Sequence, residues 1–487
     1  MFESEFLTGS PANKDSYLAF VARAAAIVAS SLPAQPYAGK TPAALATLIN
    51  PDFLPPTGRS LEQISETFQT VVANSINVNH PRTSAHLHCP PLLASLAAEI
   101  VISALNQSMD SFDQAPIATV VEQEVIRWLC SQAGLPAGAD GTFTTGGSQS
   151  NYMGLLLARD AFVQERWNWP AQKSGLPPDA RKLRILCSDV AHFTVEKSAA
   201  QLGLGTDAVI RVAVDDQFRM NPEALRAALN SLGSKGLLPM AIVATAGTTD
   251  FGSIDPLPEL AAFARSAGAW LHVDAAYGGA LLFSNLHRNK LAGIEVADSL
   301  SVDFHKLLWQ PIPCSAFLLR DARNFDFIKM HADYLNSELD EDEGIPNLVT
   351  SSLLTSRRFD ALKLWASFQS LGRTKIAAMI DRTIALATHA AEVVRTTPQL
   401  ALVCESQLST VVFRYLPLTG DPDRVNPAIR LRLFERGEAV VGHTSVGGHQ
   451  CLKFTCMNPS VSEAQLEDLI DRVVERGKEF EVDSNRR

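Results

Sequence analysis

The sequence predicts an α/β protein with a mostly parallel central sheet flanked by helices. A helical N-terminal segment precedes the sheet and a smaller α+β region follows it. Three observations lead there. Pro-rich joints interrupt a helical pattern over residues 13–110. Short apolar runs then alternate with amphipathic helical patterns from about 115 to 320. Long amphipathic helices and further strand-like pieces follow residue 360. Strands that are apolar throughout are covered on both faces, as in parallel sheets flanked by helices.

In chain order, Pro33, Pro36, Pro51, Pro55 and Pro56 mark the joints of the N-terminal segment. The runs RILCS (184–188), MAIVATA (240–246), WLHVDA (270–275), SLSVDF (299–304) and SAFLLR (315–320) read as buried strands. NPEALRAALNSL (221–232) and LPELAAFARSAG (257–268) read as helices between them. FDALKLWASFQSLG and KIAAMIDRTIALATHAAEVV form long helices, STVVFRYL (409–416) a strand, and a polar tail closes the chain. These breaks suggest an N-terminal segment at 1–90, a large domain at 91–370 and a small one at 371–487.

Length and composition exclude several classes. A chain of 487 residues is large enough to bury a sizeable core in more than one lobe. Its net charge of −10, without Lys/Arg runs, makes it a poor ligand for nucleic acid or an anionic membrane. The opening MFESEFLTGS lacks a basic then apolar pattern, so no signal peptide is expected. Leu92 to Leu105, broken by Glu99, is too short to span a bilayer. The seven cysteines are odd in number and scattered, which fits a reducing cytoplasm better than a disulfide framework.

Ligands of open α/β sheets bind beyond the C-terminal ends of the strands. TTGGSQSN (144–151) follows one strand and leads into a helix expected to begin near Asn151. Glycines admit an anion close to the backbone, and a helix N-terminus holds it, so this is a candidate phosphate cup; the same pattern also serves as a Ser-capped turn. No Lys follows the glycines, which excludes the loop of nucleotide hydrolases, and no GxGxxG follows any strand. His192 follows a second strand and Thr248 and Thr249 a third; each also admits a structural role, the threonines as helix caps. Asp274 ends an apolar strand and precedes Ala275 and Ala276, which leave room for something flat. A buried carboxylate needs a cation or hydrogen-bond donors. Lys306 ends the next strand, after Asp303 and His305. A lysine, an acid one strand away and a phosphate cup together fit pyridoxal 5'-phosphate, which needs a Schiff-base lysine, an acid for its ring nitrogen and a phosphate cradle.

The motifs TTGGSQSN, DVAHFTVEKSA, TAGTTDFGSIDP, WLHVDAAYGGA and DFHK, in that order, resemble the group II pyridoxal-phosphate-dependent amino acid decarboxylases from about residue 75 to 460. The resemblance implies PLP-dependent fold type I (aspartate aminotransferase-like) and a homodimer with active sites near the subunit interface. It implies Lys306 as the Schiff-base lysine, Asp274 on the pyridine nitrogen, His192 stacked on the ring, Ala276 on the other face and Thr249 near the ring oxygen. Gly147, Ser148 and Gln149 would hold the phosphate, with Asp303 and His305 close by. MHADYLNSE (330–338) is similar to the mobile loop whose tyrosine, here Tyr334, serves in protonation. Many members have Asn where Asp303 stands, and a carboxylate there repels phosphate unless His305 or another cation offsets it.

The upstream stretch 80–124 resembles diaminobutyrate decarboxylases and the related lysine decarboxylases of siderophore pathways. There, Asp110 and Asp113 would favour a substrate with a distal ammonium and disfavour glutamate; they equally fit a helix cap or a dimer interface. His86, His88 and Cys89 lack a fourth ligand for a metal, so His86, His88 and Asp110 are expected in the substrate pocket wall and no metal is expected. The implied reaction takes a basic diamino acid to an amine and CO2. The alternatives are an aromatic or acidic substrate on the same scaffold, an aminotransferase or lyase with the same cofactor, and a non-catalytic binding protein, since fold does not set the reaction.

Overall fold

The computed structural model describes residues 5–337, 339 and 343–484. Residues 1–4 of the stretch read for a signal peptide, Glu338 of the tyrosine loop and the last of the polar tail lie outside them. The chain forms two compact units. One comprises Leu87–Thr388 and Cys404–Val411; the other comprises Met1–His86, His389–Val403 and Val412–Arg487.

The strands, in chain order, are β1 (Thr83–Ser84), β2 (Asp140–Thr144), β3 (Leu183–Ser188), β4 (Val209–Val212), β5 (Leu238–Thr245), β6 (Trp270–Asp274), β7 (Ser299–Asp303), β8 (Ser315–Leu319), β9 (Leu400–Leu402), β10 (Thr410–Tyr415), β11 (Val440–Val446) and β12 (His449–Thr455). The larger unit holds a seven-stranded sheet in the order β2-β8-β7-β6-β5-β3-β4. β7, β6, β5, β3 and β4 run parallel, while β8 is antiparallel to both of its neighbours. The five apolar runs expected as strands are β3, β5, β6, β7 and β8. Every residue of β7 and β8 is buried, as a doubly covered sheet requires.

The helix Gly147–Trp167 crosses this sheet. Leu155, Ala158 and Val163 pack with Ile185, Cys187 and Val243. Met153 and Leu157, a helical step away, pack with Phe317 and Leu319. Fully burying a side chain of this size contributes about 1.5–3 kcal/mol, so both sets fix the helix in depth and rotation. The helix starts at Gly147, one turn before the expected Asn151. Its first N–H groups therefore leave the helix end unpaired with helical carbonyls.

In the other unit, the order is β1-β11-β12-β10-β9. β1 runs parallel to β11, with Thr83 opposite Val440. The N-terminal segment through His86 thus shares a sheet with the C-terminal region. Helices Pro422–Glu435 and Glu463–Ser484 accompany that sheet, and Tyr37 stacks on Phe434 at 4.6 Å between centroids. The helical residues Ala361–Thr396 are interrupted at Gly372, whose φ of 68° suits glycine. Among the described residues, no helix is long and apolar enough to cross a membrane.

Candidate active site

Five chain segments meet where β5, β6 and β7 end. There they line a cavity of about 330 Å³ whose walls include Gly147, Ser148, His192, Thr249, Asp274, Ala276, Asp303, His305 and Lys306. Nine positions singled out in the sequence thus share one cavity. Gln149 sits on the same helix turn, where its Oε1 accepts from the Thr145 N–H and hydroxyl, each at 3.0 Å.

Asp274 is buried at the last position of β6. Its Oδ2 accepts from Asn151 Nδ2 at 2.7 Å, and its Oδ1 accepts from Ser301 Oγ and the Ala276 N–H, each at 3.1 Å. Three neutral donors satisfy the carboxylate, and among the described residues no cation is bonded to it. Asn151 stands four residues after Gly147, one helical turn into the cavity floor. It is held in turn by His272, whose Nε2 lies 2.9 Å from Asn151 Oδ1 and whose Nδ1 lies 2.8 Å from Ser299 Oγ. Burial pushes His272 down to about 4, with Asp274 opposing, so near neutrality the ring carries one proton. Trp270 Nε1 donates to Ser299 Oγ. The serine hydroxyl then donates to His272 Nδ1, and His272 Nε2–H donates to Asn151, which leaves both Asn151 amide hydrogens for Asp274 and Thr194. Thr194 Oγ1 also lies 2.9 Å from His192 Nδ1, which ties the His192 ring to the same chain of hydrogen bonds. Burial holds His192 below the usual histidine range, although Asp274 pulls the other way.

Lys306 follows β7 by three residues. Its Nζ lies 2.9 Å from Asp303 Oδ2, and His305 Nε2 lies 3.6 Å from the same oxygen. Ser315 Oγ, at the start of β8, donates to Asp303 Oδ1 at 2.7 Å. Burial raises the Asp303 carboxyl, but Lys306, His305 and the Ser315 bond outweigh it and hold it below the carboxylate range. Burial likewise lowers His305 against the pull of Asp303.

These residues fit a pyridoxal phosphate group. Thr245 Oγ1, on the cavity wall at the end of β5, is buried and has no hydrogen-bond partner among the described residues. Gly147 forms a cradle that a side chain would fill, because a Cβ there would come within 3.0 Å of the Ala276 Cβ. A helix N-terminus, a buried acid and a lysine surround that space.

Four expected positions lie elsewhere. Tyr334 is 89% exposed at the tip of a turn that Asn336 builds, its Oδ1 accepting from the Ala332 N–H and its Nδ2 donating to the Met330 carbonyl. Asp110 is buried, with its Oδ1 accepting from the Ser111 N–H and its carbonyl from the Val349 N–H. His88 is exposed, and His86 is exposed in the other unit. None of the four lines the cavity. No group of three or more His, Cys, Asp or Glu that would hold a metal occurs among the described residues. Sequence reasoning missed Asn151, His272, Ser301, Thr194 and Ser315. The available signal was the polarity of His272, Ser301 and Ser315 within otherwise apolar strands and the helical spacing of Asn151 from Gly147; Thr194, which opens the helix Thr194–Gln201, carried neither.

The pattern of the pyridoxal-dependent decarboxylase conserved domain matches residues 42–416. The chain is 43% identical to an L-2,4-diaminobutyrate decarboxylase of Acinetobacter baumannii, over 85% of this chain and 83% of that protein. It is also 43% identical to the L-2,4-diaminobutyrate decarboxylase of Rhizobium meliloti (strain 1021), over 88% and 85%. Among solved structures, the glutamate decarboxylase domain of a diaminobutyrate-pyruvate transaminase and L-2,4-diaminobutyrate decarboxylase from Vibrio parahaemolyticus superposes with a TM-score of 0.91 at 40% identity, covering 98% of this chain and 99% of that one.

Proposed function

The chain belongs to the pyridoxal-dependent decarboxylase family, and from that premise we propose that it converts an L-amino acid with a second, distal amino group into a diamine and CO2. It is a carboxy-lyase that uses pyridoxal 5'-phosphate. L-2,4-Diaminobutyrate, giving 1,3-diaminopropane, is the substrate favoured by the two relatives of that name. The observation that carries the chemistry is one cavity holding Asp274 and Lys306 at the ends of adjacent strands.

When bound, pyridoxal phosphate supplies an electron sink for the pair left behind by CO2. Lys306 is its attachment point, and Gly147 and Ser148 receive the phosphate at the helix end. Asp274 keeps the pyridine nitrogen protonated, and the Asn151–His272–Ser299 chain keeps Asp274 aimed. Ala276 and Gly147 leave the flat space the ring needs. His192 holds the substrate carboxylate in place. Tyr334 delivers a proton to the substrate Cα from a loop that closes over the cavity and excludes water.

The same reading includes a homodimer. Leu93, Leu96 and Ile100 form an exposed apolar stripe on the helix Leu93–Leu105, and Ile117 and Val120 expose another on the helix Pro116–Gln132. Such faces belong in interfaces between copies. It also places the protein in the cytoplasm, supported by seven cysteines that form no disulfide.

The test is CO2 release by cofactor-loaded protein from diaminobutyrate, ornithine, lysine, glutamate, aspartate, tyrosine and dopa. Preference for diaminobutyrate is expected, with release at least about a thousandfold lower in Lys306→Ala. Preference for an aromatic or acidic substrate would refute the diamino reading and leave the decarboxylase. A keto-acid product without CO2 would refute both.

A further inference from the structure

Asp303 sits where a carboxylate is least expected. It is 3% exposed, and its Oδ2 would come within 3.3 Å of a Cβ built at Gly147. Gly147 opens the helix whose N-terminus faces the cavity, so Asp303 competes with the phosphate for the same positive end. A buried carboxylate persists only if it is compensated. Oδ1 takes one neutral hydrogen bond from Ser315. Oδ2 takes the ion pair with Lys306 at 2.9 Å, with His305 further off at 3.6 Å. His305 is also tied through Nδ1 to the Cys314 carbonyl at 2.9 Å. Lys306 Nζ is thus the principal counter-charge of Asp303.

We propose that Asp303 is a positioning residue for Lys306, anchoring the lysine nitrogen beside the helix Gly147–Trp167 through their ion pair. The other charged groups around the cavity do not substitute for it. Asp274 is committed to Asn151, Ser301 and Ala276. His192 is held down by burial and by Lys306, with Asp250 acting the other way. Lys363 stands behind His305. An Asn at 303 retains the Ser315 hydrogen bond and removes the anion, so the effect on Lys306 is separable from packing.

The inference rests on the decarboxylase reading only through the cofactor. The experiment follows the visible absorbance of the cofactor–lysine linkage while cofactor-loaded protein is titrated through neutral and alkaline pH. In Asp303→Asn the titration midpoint is expected to fall by at least about one pH unit, as when a carboxylate within contact of a cation is removed. Asp303→Glu, which keeps the charge, is expected to stay nearer the parent. Asp303→Ser carries the same expectation as Asn should Asn fail to fold. A second readout is the rate of capture of pyridoxal, which lacks the phosphate and so reports on the lysine alone. Capture at neutral pH is expected to rise several-fold in Asp303→Asn, because the lysine nitrogen is then no longer held in the ion pair. An unchanged midpoint and capture rate would overturn the proposal while leaving the decarboxylase intact. A parent protein that never develops the band would remove the cofactor reading and the proposal together.

Discussion

Gly154→Ala tests whether the hydrogen-bonded chain beneath Asp274 is as tight as its geometry implies. A Cβ at Gly154 would press on His272 Nδ1 and come within 2.7 Å of its Cε1, where carbon atoms prefer about 3.5–4.0 Å. The helix cannot retreat, because the neighbouring Met153 and Leu155 are fully buried. His272 is also fully buried, so it must tilt and lose its bonds to Ser299 and Asn151. Overpacking costs about 1–3 kcal/mol, and each buried partner left unpaired costs about 1–3 kcal/mol. Alanine returns only about 1 kcal/mol through helix propensity. The net loss is about 2–8 kcal/mol, or roughly 4–16 °C in melting temperature at about 2 °C per kcal/mol for a large domain. The assay is thermal unfolding of the cofactor-free protein, followed by the dissociation constant of pyridoxal phosphate. Cofactor binding is expected to weaken as well, since Asn151 and then Asp274 lose their support. A melting temperature equal to or above that of the parent would mean that helix propensity wins and that the contact has slack the geometry denies.

Three further outcomes are expected. Tyr334→Phe lowers turnover by roughly 10²–10⁴-fold with cofactor affinity nearly unchanged; full turnover in single-substrate kinetics would remove Tyr334 from proton transfer. His272 is held down to about 4 against 6.5 when free, so the unfolded chain binds more protons between those values and stability falls as pH drops from about 6.5 toward about 4. Melting curves across that window should show the loss, and His272→Gln should flatten it; an equally steep loss in the variant would assign it to other groups. Ile100→Glu places a charge on the exposed apolar stripe and is expected to shift sedimentation from dimer toward monomer, whereas an unchanged dimer would place the interface elsewhere.

The strands of the larger sheet were legible because each is a short continuous apolar run, and burial on both faces leaves no alternation to misread. β4 and the strands β9, β11 and β12 were less legible. VIRV (209–212) and VVGHTSV (440–446) carry polar residues, and the latter alternates between buried and exposed positions. Lys306, Asp274 and His192 could be singled out because a charged or titratable residue at the end of an apolar strand needs a reason. Tyr334, Asp110, His86 and His88 came from resemblance alone, and a single chain does not bring them to the cavity.

The sequence by itself therefore determined the α/β class and the residues at the strand ends that share one cavity. These properties follow from local periodicity and from the cost of burying charge, both readable within a few residues. The tertiary structure alone decided what those residues touch. Asn151 reaches Asp274 across 123 positions of chain, Ser315 reaches Asp303 from an antiparallel strand, and Thr83 pairs with Val440. Such contacts depend on strand order and register, which only the packing of the whole sheet sets. The counter-charge of Asp303 was open in the sequence, since His305 and Lys306 follow it by two and three residues, and the turn after β7 settled it by bringing Lys306 Nζ nearer to the carboxylate than His305.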